Sequence, residues 1–226
     1  MGQITLSDKP DVEILLRRSA RARRLSLRVS QLDGRVTMTV PRGISEREAT
    51  RFANEKSDWI SKPLSKVGDA VDIAPGAVLP VQGGPTTVPA GAGRSARLLP
   101  GALMVPAGRP GAAAAALLKH MARDRLAEAT RRHSAEVGRP VGRLTLRDTR
   151  SRWGSCSHEG NLMFSWRLVL APPEVLDYVA AHEVAHLVHM DHSARFWSVV
   201  RDLCPDYERH RTWLRREGHA LHRYRF

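Results

Sequence analysis

Cysteine is nearly absent from this chain of 226 residues: only Cys156 and Cys204 occur. Two thiols build no disulfide framework, and neither has a C-x-x-C partner, so a stapled secreted scaffold and a cysteine-ligated metal site are both excluded. Each reads as a small buried hydrophobe, and a reducing cytoplasm is the expected location. Long apolar runs are missing as well. The longest, Ala112 to Leu118, falls far short of the roughly 20 residues that a membrane-spanning helix needs, so no membrane partner is expected. The first residues, Met1 to Asp8, carry neither the basic stretch nor the apolar core of a secretory signal. Acids are sparse: 23 Asp and Glu face 36 Lys and Arg, a formal charge of +13 with a pI near 11. The excess is mostly arginine. Six arginines stand between Arg17 and Arg28 with no acid among them, a composition suited to phosphate or nucleic acid but equally to a GC-rich genome.

What is present is ordinary globular material, 42% hydrophobic and 26% charged. Residues 12–40 read as β structure: Leu25, Leu27 and Val29 alternate with polar residues, and Val36, Met38 and Val40 resume the period after a turn at Asp33-Gly34. Ser45 and Glu48 form a capping-box pattern opening a helix over about 45–62, with Phe52, Trp59 and Ile60 as its buried anchors. Residues 64–110, rich in Gly and Pro, read as short strands between turns. A long helix is expected from Gly111 to Val137, ended by Gly138 and Pro140. Leu144–Leu146 and Leu162–Trp166 read as strands flanking a loop. Pro172 and Pro173 open a helix that should end near Met190-Asp191, with Asp191 as a left-handed breaker. Ser193 and Asp206 are placed to cap two further helices. The fold class is α+β: a β-rich N-terminal region over 1–110 and an α+β region over 111–226.

The chemistry concentrates in one segment, His182-Glu183-Val184-Ala185-His186, with His192 six residues beyond His186. On a helix, His182 and His186 stand one turn apart on one face, able to share a Zn²⁺ ion, with Glu183 beside them as general base. Chance would give the two-histidine motif together with a histidine at that fixed offset in roughly one shuffled chain in a thousand. A hydrolytic zinc ion takes three protein ligands and leaves a fourth position open. His189 and His192 compete for the third place. His192 is better placed, since a chain that has turned back closes a tetrahedron more readily than the next turn of the same helix. His189 would then lie outside the ligand set. The other histidines, His120, His133, His158, His210, His219 and His222, read as surface residues. The spacing also matches the metzincin pattern, but His189 replaces its glycine and no Met-turn follows.

A different family fits better. Arg152-Trp153-Gly154-Ser155-Cys156, Leu162-Met163-Phe164-Ser165-Trp166-Arg167-Leu168, Ala171-Pro172-Pro173-Glu174-Val175-Leu176-Asp177-Tyr178-Val179, the HEVAH motif and His192-Ser193-Ala194-Arg195-Phe196-Trp197 together resemble the YgjP-like branch of SprT-like metallopeptidases. The resemblance extends to Arg21–Val29 and to Trp59-Ile60, and is weakest over 64–110. It implies a zincin-like catalytic domain over 111–226, zinc as cofactor on His182, His186 and His192, and Glu183 as base. The pattern often has Asn where this chain has Asp191, a change expected to alter the surroundings of the site rather than remove it.

The expected activity is therefore that of a zinc-dependent metallopeptidase. Arg152, Arg167 and Tyr178, in that order, are candidates to bind substrate and steady developing negative charge. Trp153, Trp166 and Trp197 are expected to pack around the site. Strand Leu162–Trp166 could align an extended peptide. Two alternatives stand beside this reading. One is a zinc hydrolase of a small phosphorylated substrate such as a nucleoside triphosphate, held by arginines. The other is a nucleic-acid-associated SprT-like protease using its basic surface. Oligomeric state is not legible.

Overall fold

The computed structural model describes residues 2–30, 34–64 and 68–226. The chain divides into two compact units, Met1–Asp69 and Ala70–Phe226.

In the first unit, strands β1 (Gly2–Thr5), β2 (Glu13–Ser19), β3 (Ser26–Val29) and β4 (Val36–Pro41) form one sheet, followed by helices α1 (Glu46–Glu55) and α2 (Ser57–Leu64). The sheet order is β1-β2-β4-β3. Period-two alternation turns Ile14, Leu16, Val36, Met38 and Val40 to one face, where they share a core with Ala49, Ala53 and Ile60. Ser45 caps α1, its Oγ accepting from the Glu48 N–H at 3.2 Å. Two expectations change here. The single helix over about 45–62 is two helices that meet at Lys56, the C-cap of α1. Trp59 is no anchor but 49% exposed, because it precedes Ile60 by one residue and so points about 100° away around the helix. Gly34 has the left-handed φ of 68° expected at the turn, while Asp33 lies outside the described residues.

The second unit opens with short strands: β5 (Val71–Asp72), β6 (Val78–Val81), β7 (Gly84–Thr87), β8 (Ala90–Gly91), β9 (Arg97–Leu99) and β10 (Ala102–Pro106). Helix α3 (Pro110–Val137) follows, closed by Gly138 at φ 64°. Next come β11 (Leu144–Arg147), β12 (Gly154–Cys156), β13 (Leu162–Ser165) and a 3₁₀ turn over Trp166–Leu170. Helices α4 (Pro173–Ala185), α5 (Ala194–Leu203) and α6 (Tyr207–Glu217) precede a second 3₁₀ turn and β14 (Tyr224–Arg225). The short strands belong to this compact unit, because Leu79, Val81, Leu103 and Val105 bury with Ala114 and Leu118 of α3 in one core.

Helix α4 runs through the middle of that core, with Val175, Leu176, Val179, Ala180, Ala181, Val184 and Ala185 all buried. A helix apolar nearly all round is an interior helix, so its few polar side chains are fixed by what surrounds them. The β6–β7 turn braces its start. Gln82 and Gly83, at φ 52° and 78°, donate their N–H groups to the carbonyls of Val169 and Leu170. A Cβ on Gly83 would sit 2.9 Å from Pro172 Cγ. The three-stranded sheet β11-β13-β12 has β13 at its centre, parallel to β11 and antiparallel to β12. Strand Leu162–Trp166, expected to receive a peptide, is therefore paired on both sides. The sheet edge beside α4 belongs to β12. Among the described residues no helix is long and apolar enough to cross a membrane.

Candidate metal centre

His182 and His186 project from α4 one turn apart, and the helix ends as soon as it has presented them: His186 is its C-cap. That is earlier than the Met190-Asp191 stop expected from the sequence. The N–H groups of Leu187, Val188 and His189 still turn back onto the Val184 and Ala185 carbonyls, and then the chain reverses. Asp191 takes no left-handed conformation; among described non-glycine residues only Gln82 has a positive φ. Its carboxylate instead accepts from the Ser193 N–H at 3.1 Å. Ser193 Oγ in turn accepts from the Phe196 N–H and starts α5. The reversal carries His192 back over the helix.

One ligand atom from each of His182, His186 and His192 lies within 4.8 Å of the others. The Nε2 atoms of His182 and His192 are 3.2 Å apart. Ligands at the usual Zn–N length on a tetrahedron have an edge of about 3.3 Å, so this pair fits a common ion. His186 Nδ1 meets the His189 carbonyl at 3.0 Å. As a donor there it leaves Nε2 free to ligate, the usual way a backbone oxygen fixes a metal-binding imidazole. The His189 ring thus has no place in the cluster, while its carbonyl steers one member. His182 Nδ1 is buried without a protein partner. Burial, with the neighbouring His186 and His192, pushes the His182 pKa down to about 3, and burial also lowers that of His186. Rings that stay neutral at physiological pH offer lone pairs, as metal ligation requires. Phe196 packs on all three rings at centroid distances of 4.9, 4.5 and 4.8 Å, and Trp197 stands 5.6 Å from His182.

Glu183 is 5% exposed. Burial pushes its carboxyl up to about 8, opposed by the positive charge of Arg152. A Cβ on Gly154 would lie 2.5 Å from Glu183 Oε1. Glycine in the Arg152–Cys156 run is therefore a steric requirement: the β12 backbone presses against the carboxylate of α4. Cys156 lies two residues along the same strand, its thiol raised to about 11 by burial and by the charge of Glu183.

The remaining candidates separate. Arg152 is exposed and its charge reaches Glu183. Tyr178 is buried on the α4 face of His182, 6.0 Å from that ring, with its hydroxyl pushed up to about 12 by burial. Arg167 is not brought to the cluster as a substrate donor. It is 8% exposed, its Nε and Nη2 donate to the two oxygens of Asp148, and its Nη1 donates to the Leu221 and Tyr224 carbonyls. Its fork ties the C-terminal segment to the 3₁₀ turn. Trp166 likewise packs away from the rings, edge-on to Phe226 at 5.0 Å. His133, expected at the surface, is 1% exposed. It lies on the buried face of α3, with Nε2 3.2 Å from an Asp177 oxygen that also receives Arg132. Arg211 is a residue that sequence reasoning missed. Its guanidinium stacks 4.5 Å above the Trp197 ring, and its charge acts on His182 and Tyr178.

Histidines in ligand geometry against a buried glutamate, on a helix beside a sheet edge, form the kind of site a metal-dependent hydrolase needs. A family model described as YgjP-like, metallopeptidase domain, matches residues 23–217, and the chain belongs to that family. Among solved structures, the metallopeptidase zymogen of Pyrococcus abyssi abylysin aligns at 22% identity and a TM-score of 0.34, over 40% of this chain and 96% of that one. No curated protein matches.

Proposed function

We propose that the protein is a zinc-dependent peptidase with His182, His186 and His192 as the metal ligands and Glu183 as general base. The observation carrying this reading is the convergence of the three imidazoles on a helix whose Glu183 is buried against the Gly154 backbone. An all-imidazole donor set favours zinc over the harder divalent ions. When bound, the ion polarises the scissile carbonyl and brings the pKa of water close to neutrality.

The protein's own groups do the rest. Glu183 accepts a proton from the attacking water as the new C–O bond forms, and delivers it to the departing amine as the C–N bond breaks. Burial raises its carboxyl above the ordinary carboxylate value, which strengthens it as a proton acceptor. Arg152 holds positive charge next to it and steadies the anionic carbonyl oxygen of the transition state. The β12 edge offers backbone groups on which an extended peptide can lie beside α4. Phe196 and Trp197 keep water from the back of the cluster.

Zinc-loaded wild type and Glu183→Gln, each incubated with an unfolded protein and separately with nucleoside triphosphates, test the reading. Peptide products that depend on Glu183 are the expected result. Glu183-dependent release of phosphate or pyrophosphate without peptide products would replace the substrate class and leave the ligand set in place.

A further inference from the structure

Three arginines in this unit meet acids, Arg167 at Asp148, Arg132 at Asp177 and Arg225 at Asp72. Arg211 instead meets an aromatic ring that borders the histidine cluster. It is partly buried, and among the described residues no carboxylate or carbonyl accepts from its guanidinium. It stacks on the Trp197 ring, 4.5 Å below it. Trp197 is itself clamped by Tyr207 at 5.3 Å and stands 5.6 and 5.9 Å from the His182 and His192 rings. Arg215, one turn further along α6, is a second cation whose charge also reaches Tyr178. Like charges spaced i, i+4 cost a helix a few tenths of a kcal/mol. The fold thus bears a small electrostatic penalty and a set of unfilled donors at the rim of the cluster. A guanidinium stacked on an aromatic face has little freedom left to lose, and its planar fork matches the two oxygens of a carboxylate.

We propose that Arg211 anchors the free C-terminal carboxylate of a peptide whose scissile bond lies at the histidine cluster. The proposal rests on the peptidase reading and narrows it to substrates cut close to their C-terminus. The ring spacings set how close: an extended chain advances roughly 3.4 Å per residue, so the segment between the scissile bond and the anchor is about one to three residues long. Trp197, only partly buried, forms the wall along which that segment runs.

The test uses one hexapeptide sequence made as the free acid and as the C-terminal amide. Turnover is measured with zinc-loaded wild type, and binding by calorimetry with zinc-loaded Glu183→Gln. The free acid should be favoured roughly 10- to 100-fold in both measurements, the usual worth of a charge-assisted hydrogen-bonded pair. Adding Arg211→Gln should bring the ratio close to one, and Arg211→Lys should restore part of it. Thermal melts of both variants show whether they fold as the parent does. Cleavage without preference for the free acid overturns the anchor and leaves the peptidase reading standing. No cleavage, with a binding preference that Arg211→Gln erases, keeps the anchor and removes the peptidase reading. Tighter binding of inorganic phosphate than of the free-acid peptide at Arg211 would overturn the carboxylate assignment.

Discussion

The two units handle polar groups in opposite ways. Among the described residues of the first, Ser57 is the sole buried polar side chain, within a core of aliphatic residues and alanines. The second buries Thr86, Thr130, His133, Ser165, Arg167, Glu183 and His186, and buried atoms among its described side chains, including Thr130 Oγ1, Ser165 Oγ and His182 Nδ1, have no hydrogen-bond partner. Leaving a buried donor or acceptor unpaired costs about 1–3 kcal/mol each. The contrast shows where stability has been given up. The first unit is built from alternation and apolar burial alone, whereas the second encloses the Arg167 guanidinium, the His133 and His186 imidazoles and the Glu183 carboxyl.

The sharpest way to test that contrast is at Glu183. Glu183→Gln should lower turnover by roughly 10²–10⁴-fold while zinc content, measured by elemental analysis, stays at the wild-type level. Full activity with normal zinc would remove the general-base assignment. In the first unit, Ile14→Ala removes a fully buried side chain and should cost about 2–5 kcal/mol in urea unfolding. Zinc affinity should stay unchanged; a parallel fall would show that the two units share their stability. Arg167→Ala breaks an ion pair whose arginine is buried and whose aspartate is half exposed, and should cost roughly 3 kcal/mol at neutral pH. That loss depends on pH. Burial raises the Asp148 pKa, but the hydrogen bonds and charge of Arg167 outweigh it and hold the carboxyl below its ordinary value. The ion pair's contribution is therefore complete above about pH 4 and is lost as pH falls through the lowered value, so the gap between wild type and variant should narrow in acid to what the Leu221 and Tyr224 hydrogen bonds supply. Gly154→Ala drives a methyl into the Glu183 carboxylate. It should cost about 1–3 kcal/mol together with turnover, and unchanged activity would show that the carboxylate is free to move. Smallest of all, Trp59→Ala should change stability by less than about 0.5 kcal/mol, since the ring is half exposed.

What the sequence disclosed was local. The two helical histidines follow from spacing alone, and the Ser45 and Ser193 caps from a single side chain reaching its own helix. The alternation of Val36, Met38 and Val40 likewise needs no knowledge of the partner strand. What it concealed depends on distant partners. The edge position of β12 is set by the pairing of β11 with β13. The burial of His133 requires Asp177, remote in sequence. The place of the short strands required knowing that they bury with α3. Arg211 is one of many arginines until Trp197 is seen beneath it. Gly154 stands within a motif, but its reason, the absence of a Cβ against Glu183, appears only when strand and helix meet.

The hydrogen bond between His186 Nδ1 and the His189 carbonyl has a genetic consequence. The steering group belongs to the main chain, so no substitution at codon 189 that preserves the backbone deletes it, and the histidine written there is interchangeable as far as this contact is concerned. The vulnerable quantity is length. A single codon inserted or deleted between 186 and 192 would misdirect one imidazole and withdraw another, leaving every residue of the motif intact and the centre undone.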